Sequence, residues 1–482
     1  MAYKHGVYTG EIPTSIVAPA NTTAGLPVFI GTAPVHLAAN PAKANTPILC
    51  YTYAEAVQQL GYSDDWDKYT LCEAMYSQFS LYNIAPVVFI NVLDPAVHKQ
   101  AVTDSEVVIT NKVAEVAEPV LLNTLVVKKA AAGQPLEAGT DYEAAFNDDG
   151  ILTITALEDG ELETATNMYL SYDQLTPSSV DADDIIGGIS VTTGKATGLE
   201  VLNNVFTKTR IVPGLLAAPG FSDNSEVQAV MKAKVGNING LFQALAVCDL
   251  PADSTLQNYT DVPSYKDTKG FTGVNQVALW PMVKLGSKKF HLSTAFIGIC
   301  GQADTANNDI PYRSPSNMNL QADGLCLTDG TEVELNLEQA NYLNGQGIVT
   351  GSNFYGGWKL WGNRTACYPG NTDPKDAFSY ARRMFNWHKQ TFILTYWQQV
   401  DGPVNRRFIE RILDSENIRL NGLTAMGALL GARIEFAESD NPTTSLIDGI
   451  VKFHTYFTPP IGARDIENDI EFDVNYLNTI FG

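Results

Sequence analysis

Two runs of residues constrain this chain more than any other feature. LPVFIGTAP (26–34) and APVVFINVL (85–93) are apolar without alternation. A strand that faces water on one side alternates, whereas one without alternation is covered on both faces. Helix signals lie between the two runs. Thr52 is placed to cap a helix through Ala54–Leu60, with Gly61 just past its end, and a second helix is predicted over Lys68–Leu81. Buried strands separated by helices predict a parallel α/β sheet. The pattern resumes near residue 200. Helices are expected over Val201–Lys208 and over SEVQAVMKAKVGNI with Ser225 as its cap, and strands in RIVPGLLAAPGF, LFQALAVCDLP and VNQVALWPMVKL. HLSTAFIGICGQ reads as a strand or a helix, and residues 331–344 as helical.

The interruption begins at Asp94-Pro95. From about 97 to 195 the apolar residues recur at every second position, and turn signals such as Asn147-Asp148-Asp149-Gly150 sit 8–12 residues apart. That spacing predicts a small β-sandwich. Between 97 and 200 there are 18 acidic and 5 basic residues, a net charge of −13. An acidic β-module set between two α/β pieces is most simply an exposed appendage.

The last 135 residues differ again. FSYARRMFNWHKQTFILTYW (378–397) places Phe378, Ala381, Phe385, Phe392 and Tyr396 on one helical stripe, with Arg382, Asn386 and Lys389 opposite. A helix capped by Asn405 is expected over 405–416, a short third helix in LTAMGALLGA, and a strand in GIVKFHTYF (449–457). DIEFDVNYL (469–477) alternates, with Ile470, Phe472 and Val474 on one side and Glu471 and Asp473 on the other. Residues 1–25 are punctuated by Gly6, Gly10, Pro13, Pro19 and Gly25 and read as an extended arm.

Charge and motif counts exclude several chemistries. The chain of 482 residues carries a net charge of −22, a poor platform for phosphate backbones or anionic lipid. No apolar run approaches the roughly 18 residues that span a bilayer, and MAYKHGVYTGE lacks the apolar core of a signal peptide. The six cysteines are scattered, which fits reduced thiols. Gly188–Ala196 misses the phosphate-loop spacing by one residue and lacks its hydroxyl, and no His-Glu-x-x-His or Gly-x-Ser-x-Gly occurs. His388, on an apolar stripe, reads as a core histidine. Catalytic, cofactor-binding and metal-ligating residues are therefore expected to be absent. One local asymmetry stands out: between Gly356 and Ile434 eleven basic residues face six acidic ones, +5 in an acidic chain. Solvated helix faces, with Arg406 and Glu410 as an i,i+4 pair, account for it as well as a basic face aimed at an acidic partner does.

Several segments, in order, resemble the sheath protein of contractile phage tails and phage-tail-like bacteriocins. They are GVYTGEI (6–12), LPVFIGTAP, IPYRSPSN (310–317), LNGQGIVT (343–350), LWGNRTA (360–366), SYARRMFNW (379–387), GPVN (402–405) and LTAMGALLGARIEF (423–436). Gly402 stands where that family usually has an acidic residue. Patterning and resemblance together predict an α/β and α+β multidomain chain, with the inserted segment read from its patterning alone. Its expected parts are an extended arm (1–25), a parallel α/β sheath domain (26–96 and 200–345), an inserted acidic β-sandwich-like domain (97–199), a C-terminal α+β sheath domain (346–464) and a C-terminal arm (465–482).

The resemblance implies a subunit of stacked six-membered rings around an inner tail tube, with baseplate and tail terminator proteins as further partners and no cofactor, direct nucleic-acid contact or membrane insertion. The place of such a chain is a virion tail or a bacteriocin particle, assembled in the bacterial cytoplasm. Strand-like ends without hairpin partners suit pairing with another copy. The arm residues expected to do so are Val7, Tyr8, Ile12, Ile470, Phe472 and Val474, with Gly6, Gly10, Pro459-Pro460 and Gly462 as flanking hinges. Arg382, Lys389, Arg406 and Arg407 are the candidates for the face turned toward the tube. The rival readings are a non-contractile capsid or surface-layer protein and an α/β enzyme with a ligand near Gly31, Ala218–Gly220 or Asp249.

Overall fold

The computed structural model describes residues 24–147 and 149–481. Its centre is an eight-stranded sheet built from β1 (Pro27–Gly31), β2 (Pro47–Cys50), β3 (Val87–Asn91), β4 (Leu215–Ala217), β5 (Leu245–Asp249), β6 (Gln276–Leu279), β7 (Ile348–Ser352) and β8 (Lys359–Trp361). The order is β8-β7-β6-β5-β4-β1-β3-β2. The six inner strands run parallel, and β2 and β8 close the edges antiparallel. Every residue of β1, β3, β4 and β5 is buried, which is the physical content of their unbroken apolar runs. Helices α1 (Tyr53–Leu60), α2 (Thr70–Met75, continued as a π-turn over Tyr76–Leu81), α3 (Ser225–Gly236) and α4 (Leu292–Thr305) pack around this sheet. The Thr52 hydroxyl accepts from the Glu55 N–H, and Gly61 at φ +73° ends α1.

Three local expectations are corrected. Asn224, not Ser225, caps α3: its carboxamide oxygen accepts from the N–H groups of Glu226 and Val227. The run 274–285 is two strands, because Pro281 has no N–H for the ladder and Met282–Leu285 leaves to form a separate antiparallel sheet with Lys288–Phe290 and Gly324–Cys326. Residues 331–336 are extended along that small sheet, and the helix α5 begins only at Leu337 (Leu337–Gly345) behind an Asn336/Gln339 capping box.

Between Lys99 and Leu175 the chain forms two three-stranded antiparallel sheets. Ala114, Val116, Val127, Leu152, Ile154, Met168 and Leu170 from both sheets share one apolar cluster, separate from the main core. Gly188–Lys195 sits on the hairpin between two short paired strands, Gly188–Ile189 and Ala196–Thr197, and not at a strand-to-helix junction.

Beyond β8 the chain builds α6 (Ser379–Tyr396), α7 (Arg406–Ala425), β9 (Gly431–Glu435) and β10 (His454–Thr458). The Asn405 side chain accepts from the Phe408 N–H at the start of α7. LTAMGALLGA is not a third helix. Its first residues complete α7, and Gly427 at φ +81° turns the chain, with the Ala428 N–H donating to the Leu423 carbonyl at 2.9 Å. β9 and β10 pair antiparallel, and Ile434 and Phe457 face a cluster formed with Met384, Trp387, Leu420 and Leu423. Among the described residues no helix is long and apolar enough to cross a membrane.

Candidate assembly interface

The C-terminal segment leaves the body as an exposed strand of chain. From 459 to 473 it forms no regular structure, and Val474–Phe481 follows as a 3-10 helix. Ile470, Phe472 and Val474 are 89%, 75% and 63% exposed, so their alternation buries nothing within the chain. The strand expected over 469–477 is not formed, because a β-ladder needs a second strand and none lies beside it among the described residues. Val7, Tyr8 and Ile12, with Gly6 and Gly10, lie outside the described residues. Gly462 is held, since its N–H donates to the Tyr380 hydroxyl at 2.8 Å. The sheet of β9 and β10 is two-stranded, so neither outer edge is paired with a further strand among the described residues, and on β9 the Ile434 N–H donates instead to Asn417 Oδ1 at 3.2 Å. Beside it Ile418, Met426 and Leu430 are 50–66% exposed, an apolar strip on and just after α7.

The four basic candidates separate. Arg406 and Arg407 are exposed on the first turn of α7, and Arg406 Nε is 2.7 Å from Glu410 Oε1. Lys389 is exposed on α6, and its Nζ donates to Gln243 Oε1 at 2.8 Å. Arg382 is not on an open face: it is buried and bound to Asp376 at 2.9 Å. The reason is the setting of α6, which is buried on nearly all sides. Toward the central sheet Asn386 donates to Asn275, Gln390 to the Gln243 carbonyl, and Arg383 forms a bidentate pair with Asp304 of α4. On the other side the Phe385 and Phe457 rings meet tilted with centroids 4.3 Å apart, and His388 Nδ1 accepts from Arg419 at 2.7 Å. Burial, then the Arg419 and Lys389 charges, hold His388 down at about 3, so the imidazole is neutral. Arg419 in turn grips the buried Glu416.

At the carboxyl ends of β4 and β5, Asp249 lies in a buried polar network with Ser222, Ser293, Glu73 and His291. Burial lowers His291, but Glu73 at 2.7 Å, with Asp249 and Asp223, outweighs it and holds the imidazolium up at about 9. Burial raises Asp249 to about 6, against the pull of His291. Each carboxylate is committed to a side-chain or backbone donor, and the network ties α2 to α4 and β5. Sequence reading missed Glu73 and His291 because they lie 218 residues apart. The six cysteines are free and buried. No cluster of three or more His, Cys, Asp or Glu among the described residues is arranged to hold a metal ion.

The described residues thus show a closed core and a chain end with exposed apolar side chains. The chain is 29% identical to the tail sheath protein of Burkholderia phage BcepMu, over all of this chain and 99% of that one. It is 26% identical to a putative prophage major tail sheath protein of Pseudomonas aeruginosa (strain UCBPP-PA14), over 63% of this chain and 76% of the relative. Its fold matches the sheath complex of an extracellular contractile injection system (PVC) in the contracted state, with a TM-score of 0.59 at 14% identity and 99% coverage of both chains. It also matches the contracted helical sheath of the anti-feeding prophage, with a TM-score of 0.57 at 14% identity over 97% of this chain and 99% of the other. No protein-family model matches the chain. Over its whole length the chain is similar in sequence to a tail sheath protein and in fold to contractile sheaths, which supports its reading as a structural subunit of a contractile tail.

Proposed function

We propose that this chain polymerises as stacked six-membered rings around an inner tail tube and that the assembled sheath shortens to drive the tube through a cell envelope. The observation that carries the reading is the exposed C-terminal segment, with Ile470, Phe472 and Val474 alternating against Glu471 and Asp473 and no partner strand among the described residues. Added to an open edge of β9–β10 in a neighbouring copy, it would complete its ladder and cover the apolar strip at Ile418, Met426 and Leu430. The arm at Val7–Ile12 would do the same for another neighbour. A subunit with linking ends and a body makes heterologous contacts, which propagate into open helical arrays. Residues 97–199 form an appendage on the outside, and 346–464 form the part that carries the acceptor sheet. Baseplate and tail terminator proteins cap the ends of the assembly.

Contraction in this reading needs no cofactor. The strand links keep neighbours joined while the bodies repack, and a difference of a few kcal/mol per subunit is typical of bistable packings. The tube-facing groups reduce to Lys389, Arg406 and Arg407, because Arg382 is spent inside the fold. Exposed charge pairs are worth about 0–1 kcal/mol each, weak enough to break on firing. Electron microscopy of the purified chain tests the proposal. Full-length protein is expected to form striated tubes, and removal of 1–20 or 465–482 to abolish them. Tubes from either truncated chain would overturn the arm assignment. Lattice fragments or discrete monomers from the full chain would favour the capsid-like or enzymatic rival.

A further inference from the structure

The described chain begins beside the same helix, α6, that its C-terminal segment passes on leaving the body. The C-terminal segment passes α6 at Gly462, whose N–H donates to the hydroxyl of Tyr380, a side chain only 1% exposed. The N-terminal segment enters at Ala24 and Gly25. Ala24 is buried in the cluster that contains Met384 and Trp387 of α6. A Cβ placed on Gly25 would lie 2.6 Å from Asp304 Oδ2 and 3.1 Å from Arg383 Nη2. Those two atoms belong to a buried bidentate ion pair, so neither has room to retreat. Tyr380 and Arg383 are three residues apart and share one face of α6.

We propose that the first turn of α6 is a common anchor for both chain ends. Tyr380 sets where the C-terminal segment departs, and the Arg383–Asp304 pair sets where the N-terminal segment enters at Gly25. The points at which the two ends meet the body are then fixed relative to each other before any neighbour is met, and the entropy of setting them is spent once, on folding, not at each assembly step. Strain applied through either end passes into a helix that is bonded on one side to the central sheet and on the other to α7. Tyr380 is thus a positioning residue, and its role in assembly rests on the sheath reading above.

The test uses the full chain. Its native thiols are buried, so spin labels go to Asp465→Cys, just past the anchor, and Glu338→Cys, on the exposed start of α5. Tyr380→Phe removes only the hydroxyl, and Gly462→Pro removes the same hydrogen bond from the donor side. Both are expected to broaden the label–label distance distribution, leave the unfolding midpoint within error, and lower tube yield at fixed concentration roughly five-fold, the effect of one lost hydrogen bond. Gly25→Ala is expected to lower tube yield through the other end. Narrow distributions in both Tyr380→Phe and Gly462→Pro would overturn the anchor, and so would broad distributions with wild-type tube yield. If the wild-type chain itself forms no tubes, the sheath reading falls, while the distance distributions still decide whether Tyr380 holds the segment.

Discussion

His291 couples folding to proton binding. Its pKa rises from 6.5 to about 9 on folding, because the Glu73 carboxylate more than offsets the effect of burial. A base that binds its proton more tightly when folded stabilises the fold below its unfolded value, and that stability is lost as pH rises through the folded value. The unfolding midpoint in urea is therefore expected to fall between pH 6.5 and about 9. His291→Gln should flatten that slope, and an unchanged slope would refute the assignment. His388 has the opposite sign. Its folded value of about 3 lies below 6.5, so its contribution is present above 6.5 and lost as pH falls toward 3. Arg383→Ala would strand the buried Asp304 carboxylate, and breaking such a pair costs about 3–5 kcal/mol. Urea unfolding of that variant should show the loss as a lower midpoint with an unchanged slope.

At the scale of elements, sequence patterning reads best where burial is two-sided and apolar. β1, β3, β4 and β5 were legible because covered parallel strands leave an unbroken apolar run. α6 shows where that reasoning stops. Its apolar stripe is real, yet Arg382, Arg383 and Asn386 are as buried as the stripe. Their partners Asp376, Asp304 and Asn275 lie 6, 79 and 111 residues away. A charged residue paired across such separations looks, in sequence, like a solvated one. Only Lys389 of that face reaches water. For α7 the expectation stands as a test: charge reversal at both Arg406 and Arg407 should leave the folded chain intact and reduce its assembly on tubes. Unchanged assembly would favour plain solvated helix faces. The alternation at 469–477 marks a strand in composition, but the described residues offer no ladder to hold it. Phe472→Asp should therefore leave the monomer's midpoint unaltered and lower tube yield, read by electron microscopy at matched concentration.

At the scale of the whole molecule, the eight-stranded sheet, the small paired sheets near 99–175 and the C-terminal helices form separate apolar clusters. The last residues contribute to none of them. Deletion of 465–482 is accordingly expected to leave the thermal unfolding of the monomer unchanged, as calorimetry would show. A lowered midpoint would mean that this segment packs on its own body in solution. One further consequence follows from where the tail is fastened. Between the bond at Gly462 and the 3-10 helix at Val474 run eleven residues, Ala463 to Asp473, without regular structure. Pulled straight, they reach at most about 40 Å. If the segment links neighbouring copies as proposed, a leash of that length with one knot at its root would leave slack in a close-set array and run taut only once the bodies had moved apart.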